Sequence, residues 1–459
     1  MIPKVFIPRK IVEATLGLAG RVSIYDAWQK FQFLSESEWW PKERLEAYQW
    51  QKLQKTLRHA YDHVPFYRAL WEKHGVHPDD IRERTDMTAI PIVNRNDICQ
   101  KNCLAQSSEF RKGLQAMHTS GSTGVPFRVM IDVLSYQYKF ALWLREFAYV
   151  DWEVGKRMVS YWHRIYKGYP REETHMVMRD IIWGIMGKQV FPPFPTRLST
   201  EPIHDQALRW YRRLKDFNPY LLESFHFFIQ ILTNFIIDNH LDPIPIKKIF
   251  CLGAPVGRER KKMEQAFPGV EIHDRYGPHE FEGIGTECSK HKGMHISVDS
   301  YYVEFLREDD TFASPREIAQ LIVTDLDNKA MPLIRYDISD MASYYGEQCP
   351  CGRGLPLMSN LSGRRNDYII TADNKKLYFV FFQEFFDHYD AVRYFQISQK
   401  GSGDVDVSIV KEGETDENKL FSVIAQDLKR EIGKNIIVKQ VKSIEEAKNG
   451  KMSFVKRAD

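Results

Sequence analysis

Apolar and polar positions follow two different rhythms along this chain, and the change of rhythm divides it. From Ile90 to Leu361, short apolar runs such as Lys248-Ile249-Phe250-Cys251-Leu252, Tyr301–Leu306 and Leu321–Thr324 read as strands. Between them, Leu134–Val150 and Gln206–Asp216 carry helical spacing. Phe225–Ile237 is more apolar still, but His226, Gln230, Thr233 and Asn234 interrupt it. It reads as a buried helix, short of the ~20 apolar residues that a membrane span needs. Residues 1–110 read as helical with polar faces, broken early at Trp39-Trp40-Pro41. Strands interleaved with helices predict an α/β body with mixed sheets.

Past Gly363-Arg364 the pattern changes. Arg393–Ser398 and Val405–Val410 read as strands, the second with clean alternation. Leu420, Ile424, Leu428 and Ile432 recur at helical spacing and stop at Gly433, a natural C-cap, before the strand Ile436–Val438. That order predicts a small α+β domain. A chain of 459 residues also exceeds what one core usually organises. The expected division is a large N-terminal domain over 1–364 and a small C-terminal one over 365–459.

Composition removes several classes of function. With 43% hydrophobic and 27% charged residues the chain is ordinary for a globular protein. A formal charge of +3 gives no electrostatic ground for a nucleic-acid partner. Lys4, Arg9 and Lys10 precede a short apolar stretch, Ile11–Gly20, but Pro3, Pro8 and Glu13 argue against a leader, so a cytoplasmic protein without a transmembrane segment is expected. Six cysteines are too few for a disulfide scaffold. Cys99 and Cys103 stand four apart without a companion ligand, and Cys251 sits in a buried-strand pattern.

The chemistry begins at His118-Thr119-Ser120-Gly121-Ser122-Thr123-Gly124-Val125-Pro126. Hydroxyls and glycines in this density suit a phosphate cradle, because glycine lets backbone N–H groups approach an anion. Gln115–Met117 and Phe127–Ile131 on its flanks both read as strand. That setting, and the absence of a Gly-Lys-Ser/Thr ending, separates the loop from a Walker site and disfavours a kinase.

Later segments complete a pattern. Asp274-Arg275-Tyr276-Gly277-Pro278-His279-Glu280, Pro332–Asp340, Gly363-Arg364-Arg365-Asn366-Asp367 and Asn449-Gly450-Lys451 follow the loop in order. Together the five resemble the signatures of adenylate-forming enzymes, the acyl-CoA ligase superfamily. From about Leu45 onward the chain is most similar to the phenylacetate–coenzyme A ligase branch and its relatives in capsular polysaccharide clusters, the CapK-like proteins.

The resemblance implies a large nucleotide-binding body and a small mobile C-terminal lid. It implies that Ser120, Gly121, Ser122, Thr123 and Gly124 grip the β- and γ-phosphates, although Phe127 stands where many members of the family carry a lysine. Glu280 would hold Mg²⁺, a hard cation suited to carboxylate oxygen. Tyr276 and Gly277 would flank adenine, with Gly253, Ala254 and Pro255 along the purine edge. Asp340 would accept from both ribose hydroxyls, with Asp337 as the alternative carboxylate better explained as part of a strand end. Arg364 would reach the ribose or α-phosphate, Asp367 would be the hinge, and Arg365 is left as an exposed arginine without a role. Lys451, rather than its neighbours Lys448 and Lys456, would bridge the acid and the α-phosphate. Phe225, His226 and Trp162 would wall the acid pocket, with His226 expected to be a hydrogen-bonded core residue.

A second constellation stands apart. Cys288-Ser289-Lys290-His291 and Cys349-Pro350-Cys351 are glycine-flanked pairs that together offer three thiolates and one imidazole, a structural zinc shell. Cys288, His291, Cys349 and Cys351 are the expected ligands. His295 is the alternative fourth, ranked lower because it lies in a strand pattern. The expected activity is ATP-dependent activation of a carboxylic acid as acyl-AMP, with transfer to coenzyme A. An amine, sugar or carrier-protein acceptor is the first alternative, and a non-catalytic nucleotide-binding protein the second. The acid and the oligomeric state, a homodimer included, stay open.

Overall fold

The computed structural model describes residues 24–100, 105–110, 114–119, 127–161, 184, 187–191, 203–253, 256–278, 280–401, 403–413, 415–442, 444 and 454–457. Its N-terminal part is helical, as expected: Ile24–Ser37, Lys42–His63 and Pro65–Lys73, with the Trp39-Trp40-Pro41 break between the first two. Pro65 sits in the first turn of the third helix, where its missing N–H costs nothing.

Two strands, β1 (Gln115–Thr119) and β2 (Phe127–Ile131), pair antiparallel with Thr119 opposite Phe127. The Ser120–Pro126 segment therefore joins two strands, as its flanks predict. The main sheet follows: β3 (Met158–Tyr161), β4 (Lys188–Phe191), β5 (Leu221–Phe225), β6 (Lys248–Leu252), β7 (Glu271–Tyr276), β8 (Gly285–Glu287), β9 (Met294–Ile296), β10 (Tyr301–Leu306), β11 (Ile318–Asp325), β12 (Tyr336–Tyr345), β13 (Leu357–Met358) and β14 (Gly363–Arg364). Their order is β10-β11-β12-β13-β9-β8-β7-β6-β5-β3-β4, with β14 added to β12. The half from β4 to β7 is parallel and the half from β8 to β10 antiparallel. Helices His226–Asp238 and Arg260–Ala266 make the crossovers that parallel pairing requires. β6 is buried along its whole length, which explains its unbroken apolar run.

The C-terminal part has its own core around Ile369, Phe382, Val407, Ile424 and Val455. β17 (Val392–Gln399) and β18 (Val405–Lys411) pair antiparallel, flanked in parallel by β20 (Val455–Arg457) and β19 (Ile436–Gln440). Helix Glu417–Ile432 is capped by Asp416 and closed by Gly433 at φ 71°, as its spacing predicts. The hairpin β15 (Tyr368–Ile370)–β16 (Lys376–Tyr378) and helix Phe379–Phe386 add to the strand–strand–helix–strand order read from sequence. Asn234 donates to the Tyr394 hydroxyl at 3.1 Å and Arg393 pairs with Asp238 at 3.0 Å, tying this part to helix His226–Asp238.

Candidate functional site

The parallel half of the sheet ends at Leu252, Tyr276 and Phe225, and three of the signature segments meet there. β7 delivers Tyr276 with its hydroxyl donating to Asp340 Oδ2 at 2.9 Å. β12 and β14 are in register with Asp340 opposite Arg364, and the Arg364 Nε lies 3.8 Å from Asp340 Oδ1. Residues 64 and 24 positions apart from Asp340 are thus brought to one carboxylate by strand pairing. Burial first, then the Asp340 charge, holds the Tyr276 hydroxyl well above its ordinary pKa, with Glu280 adding to the shift and Arg364 opposing it. Glu280 is therefore within electrostatic reach of the same group. Its loop is fixed by Lys139, whose ammonium donates to the Phe281 carbonyl at 2.7 Å and pairs with Asp325 at 3.2 Å.

Gly277 has a steric reason: a Cβ there would stand 2.4 Å from the Gly283 nitrogen. At Gly253, φ is 86° and an added Cβ would meet the Phe225 ring at 3.0 Å, so Phe225 borders the turn after β6. Asp274, two residues before Tyr276 in β7, ties this corner together. Its carboxylate accepts from the Val256 N–H at 3.2 Å and from Asn360 Nδ2 at 2.9 Å. Burial and the Glu287 charge push its pKa up to about 7. The motif contains Asp274 but assigns it no role; the signal for one is a carboxylate inside an otherwise buried strand.

Asp337, at the start of β12, accepts from the Ser339 N–H at 2.7 Å and pairs with Arg365 at 2.8 Å. Arg365 also donates to Gln320 at 3.0 Å, so it braces the strand end instead of standing idle in solvent. Asp367 follows Arg364 in a tight turn, its N–H donating to the Arg364 carbonyl at 3.0 Å; burial raises its pKa and Arg364 opposes the rise. His226 opens its helix fully buried, and burial lowers its pKa to about 4. Its Nε2 has no hydrogen-bond partner among the described residues, so at that nitrogen it departs from the expected hydrogen-bonded core histidine. Ser120, Gly121, Ser122, Thr123, Gly124, Ala254, Pro255, Trp162, His279 and Lys451 lie outside the described residues.

The second constellation forms, with one change of ligand. Cys288, Cys349, Cys351 and His295 bring one ligand atom each within 4.8 Å of one another. The expected fourth ligand, His291, is elsewhere. It follows Cys288 in a turn at φ 49°, and its Nδ1 faces the Glu287 carboxylate at 3.1 Å. His295 instead lies in β9, opposite Leu357 of β13, and that pairing sets it beside the Cys349–Cys351 loop. Cys288 Sγ to Cys349 Sγ is 3.7 Å, and Cys351 Sγ to His295 Nε2 is 3.3 Å. Zinc with sulfur at ~2.3 Å and nitrogen at ~2.0 Å sets tetrahedral edges of about 3.8 and 3.5 Å, and these two separations fit them. His295 Nδ1 lies 3.3 Å from the Leu355 carbonyl, the contact that leaves Nε2 to ligate. The neighbouring Cys288 thiol draws Cys351 toward thiolate, while that same contact pushes Cys288 up and burial pushes Cys349 up, so a bound metal would displace their protons.

Comparison with known proteins agrees with this architecture. Residues 369–458 match the family model of the CapK C-terminal domain. A phenylacetate-coenzyme A ligase of Thermus thermophilus is 24% identical over 426 residues, 88% of this chain and 87% of that protein. Protein CapK of Staphylococcus aureus is 22% identical over 408 residues, covering 84% and 82%. Among solved structures, a 2-hydroxyisobutyryl-CoA ligase in the postadenylation state superposes with a TM-score of 0.72 at 17% identity, covering 92% and 91% of the two chains. An anthranilate CoA ligase bound to anthranoyl-AMP gives 0.55 at 13% identity, over 76% and 66%. No helix among the described residues is long and apolar enough to cross a membrane. The motif resemblance is thereby borne out: the chain carries a CapK C-terminal domain on the fold of the adenylate-forming CoA ligases, and phenylacetate–coenzyme A ligases and CapK are its relatives.

Proposed function

We propose that this chain is an ATP-dependent acid–thiol ligase. A carboxylate oxygen bonds to the α-phosphorus of ATP as the bond to pyrophosphate breaks, and the acyl group then passes from AMP to the sulfur of coenzyme A. The observation that carries this reading is the meeting of Tyr276, Asp340 and Arg364 at one carboxylate, with Glu280 in electrostatic reach. Asp340 keeps one oxygen on the Tyr276 hydroxyl and offers two carboxylate oxygens as acceptors, the chemistry a ribose diol asks for. Arg364 supplies positive charge beside it, and Phe225 borders the turn at Gly253, where an apolar acid would lie, with His226 buried next to it in sequence.

Glu280 would hold Mg²⁺, which neutralises phosphate charge when bound. The Ser120–Gly124 loop would supply phosphate donors, with Ala254 and Pro255 along the adenine. Lys451 would bridge the two anions in the transition state. Trp162 would complete the acid pocket. The 1–364 body and the 365–459 lid would turn about Asp367 between the two half-reactions. Cys288, His295, Cys349 and Cys351 would hold a structural zinc that clamps the loop after β8 to the loop before β13. A cytoplasmic location goes with these substrates.

The test is exchange of labelled pyrophosphate into ATP across a panel of carboxylic acids, followed by coenzyme A. Exchange that depends on one acid, with thioester formed on adding coenzyme A, is the expected result. Exchange with thioester absent moves the acceptor to an amine, a sugar or a carrier protein. No exchange with any acid removes the ligase reading in favour of a non-catalytic nucleotide-binding protein.

A further inference from the structure

His291, displaced from the sulfur cluster, has a destination of its own. It reaches back over β7 to His273 and Glu271, and the three offer one ligand atom each within 4.8 Å of one another. The rings of His273 and His291 are stacked with centroids 4.9 Å apart. Both imidazoles turn Nε2 to the same carboxylate oxygen: His273 Nε2 is 3.5 Å and His291 Nε2 3.7 Å from Glu271 Oε1. A divalent ion held by nitrogen and oxygen at ~2.0–2.1 Å spaces its ligands about 3.3–3.4 Å apart in a tetrahedron. The observed separations are within a few tenths of an ångström of that edge.

Further features point the same way. His273 is completely buried in β7, yet neither ring nitrogen has a hydrogen-bond partner among the described residues. A buried polar group of this kind is normally satisfied, and this one is aimed at a second imidazole and a carboxylate. The Nδ1 of His291 faces Glu287 at 3.1 Å, a carboxylate–histidine pairing that orients Nε2 toward a metal. Lys248 pairs with Glu271 through the other oxygen, Oε2, leaving Oε1 on the imidazole side. His291 and Glu271 are both about one third exposed, 32% each, so a water can complete the shell.

We propose that His273, His291 and Glu271 form a second site, for a first-row divalent transition metal such as zinc, separate from the sulfur cluster. One short turn serves both sites: Cys288 points to the thiolates, and His291 crosses to β7. The site does not depend on the ligase reading or on zinc at the cysteines.

The test is titration of the metal-free full-length chain with Co²⁺, followed by absorption and metal analysis. The wild-type chain is expected to bind cobalt at a nitrogen–oxygen site that gives d–d bands without sulfur charge transfer. His291→Ala and, independently, Glu271→Gln should each lose that cobalt while any sulfur-to-cobalt band stays. Cys351→Ser should remove the sulfur band and keep the nitrogen–oxygen cobalt. Wild-type chain that takes up only sulfur-ligated cobalt, or none, overturns the proposal. So does an unchanged cobalt content and spectrum in both folded variants, His291→Ala and Glu271→Gln, checked by circular dichroism.

Discussion

Two corners of the molecule are assembled by different means. At the nucleotide corner, strand register does the work: Asp340 and Arg364 face each other across the β12–β14 ladder, and β7 runs Tyr276 into the same carboxylate. At the sulfur corner, turns decide. Cys288 and His291 are three residues apart, yet the left-handed backbone at His291 sends its ring to Glu287 and β7 while Cys288 joins the thiolates. A residue inside a strand has its direction set by alternation. A residue in a turn has it set by one dihedral that spacing does not reveal.

That contrast can be broken most severely at the catalytic end. Lys451→Ala should lower pyrophosphate exchange on the order of 10²–10³-fold, the usual cost of removing a charge that acts only in the transition state. Wild-type exchange in that variant would return Lys451 to the solvated tail. Asp340→Ala comes next. Loss of two hydrogen bonds to a charged acceptor, each worth about 1.5–3 kcal/mol, should weaken kcat/KM for ATP about 10²-fold or more. Metal content should not change, because the sulfur corner shares no ligand with it; a concurrent loss of metal would show that the corners are coupled.

At the sulfur corner, His295→Ala should lose the sulfur-ligated metal and lower the melting temperature. His291→Ala should keep that metal, and the opposite result would restore the spacing-based assignment. The smallest effect belongs to Asp274. Its folded pKa of about 7 lies above the ordinary carboxylate value of 3.8, so the native state holds a proton that the unfolded chain gives up. Its contribution to stability is full below about pH 4 and is lost as pH rises toward 7. Asp274→Asn should flatten that part of a denaturant-measured stability profile; an unaltered slope would mean the carboxyl is already ionised there.

Much of the fold was legible because its signals are long. β6, the buried helix His226–Asp238, the Gly433 stop and the break at Trp39–Pro41 all follow from periodicity and from glycine or proline placed where the backbone needs them. The short hairpin β15–β16 and helix Phe379–Phe386 were not legible: three-residue strands have no period, and a run of phenylalanines has no polar face. At the site, Tyr276, Asp340 and Arg364 were readable because they sit in ordered motifs. The work of Arg365, and a His226 Nε2 without a hydrogen-bond partner among the described residues, depend on neighbours that spacing does not show. His273 and Asp274 did carry a local sign, two ionisable residues in succession within a strand buried from Ile272 to Tyr276. Polar groups hidden in such a strand ask for a partner.

The most direct measurement is a crystal structure of the chain with AMP bound. The ribose hydroxyls should lie within hydrogen-bond distance of Asp340, with adenine beside Tyr276 and the turn at Gly253, and the phosphate toward Arg364. A nucleotide bound away from the end of β7, with Asp340 still turned only to Tyr276 and Arg364, would contradict the assignment.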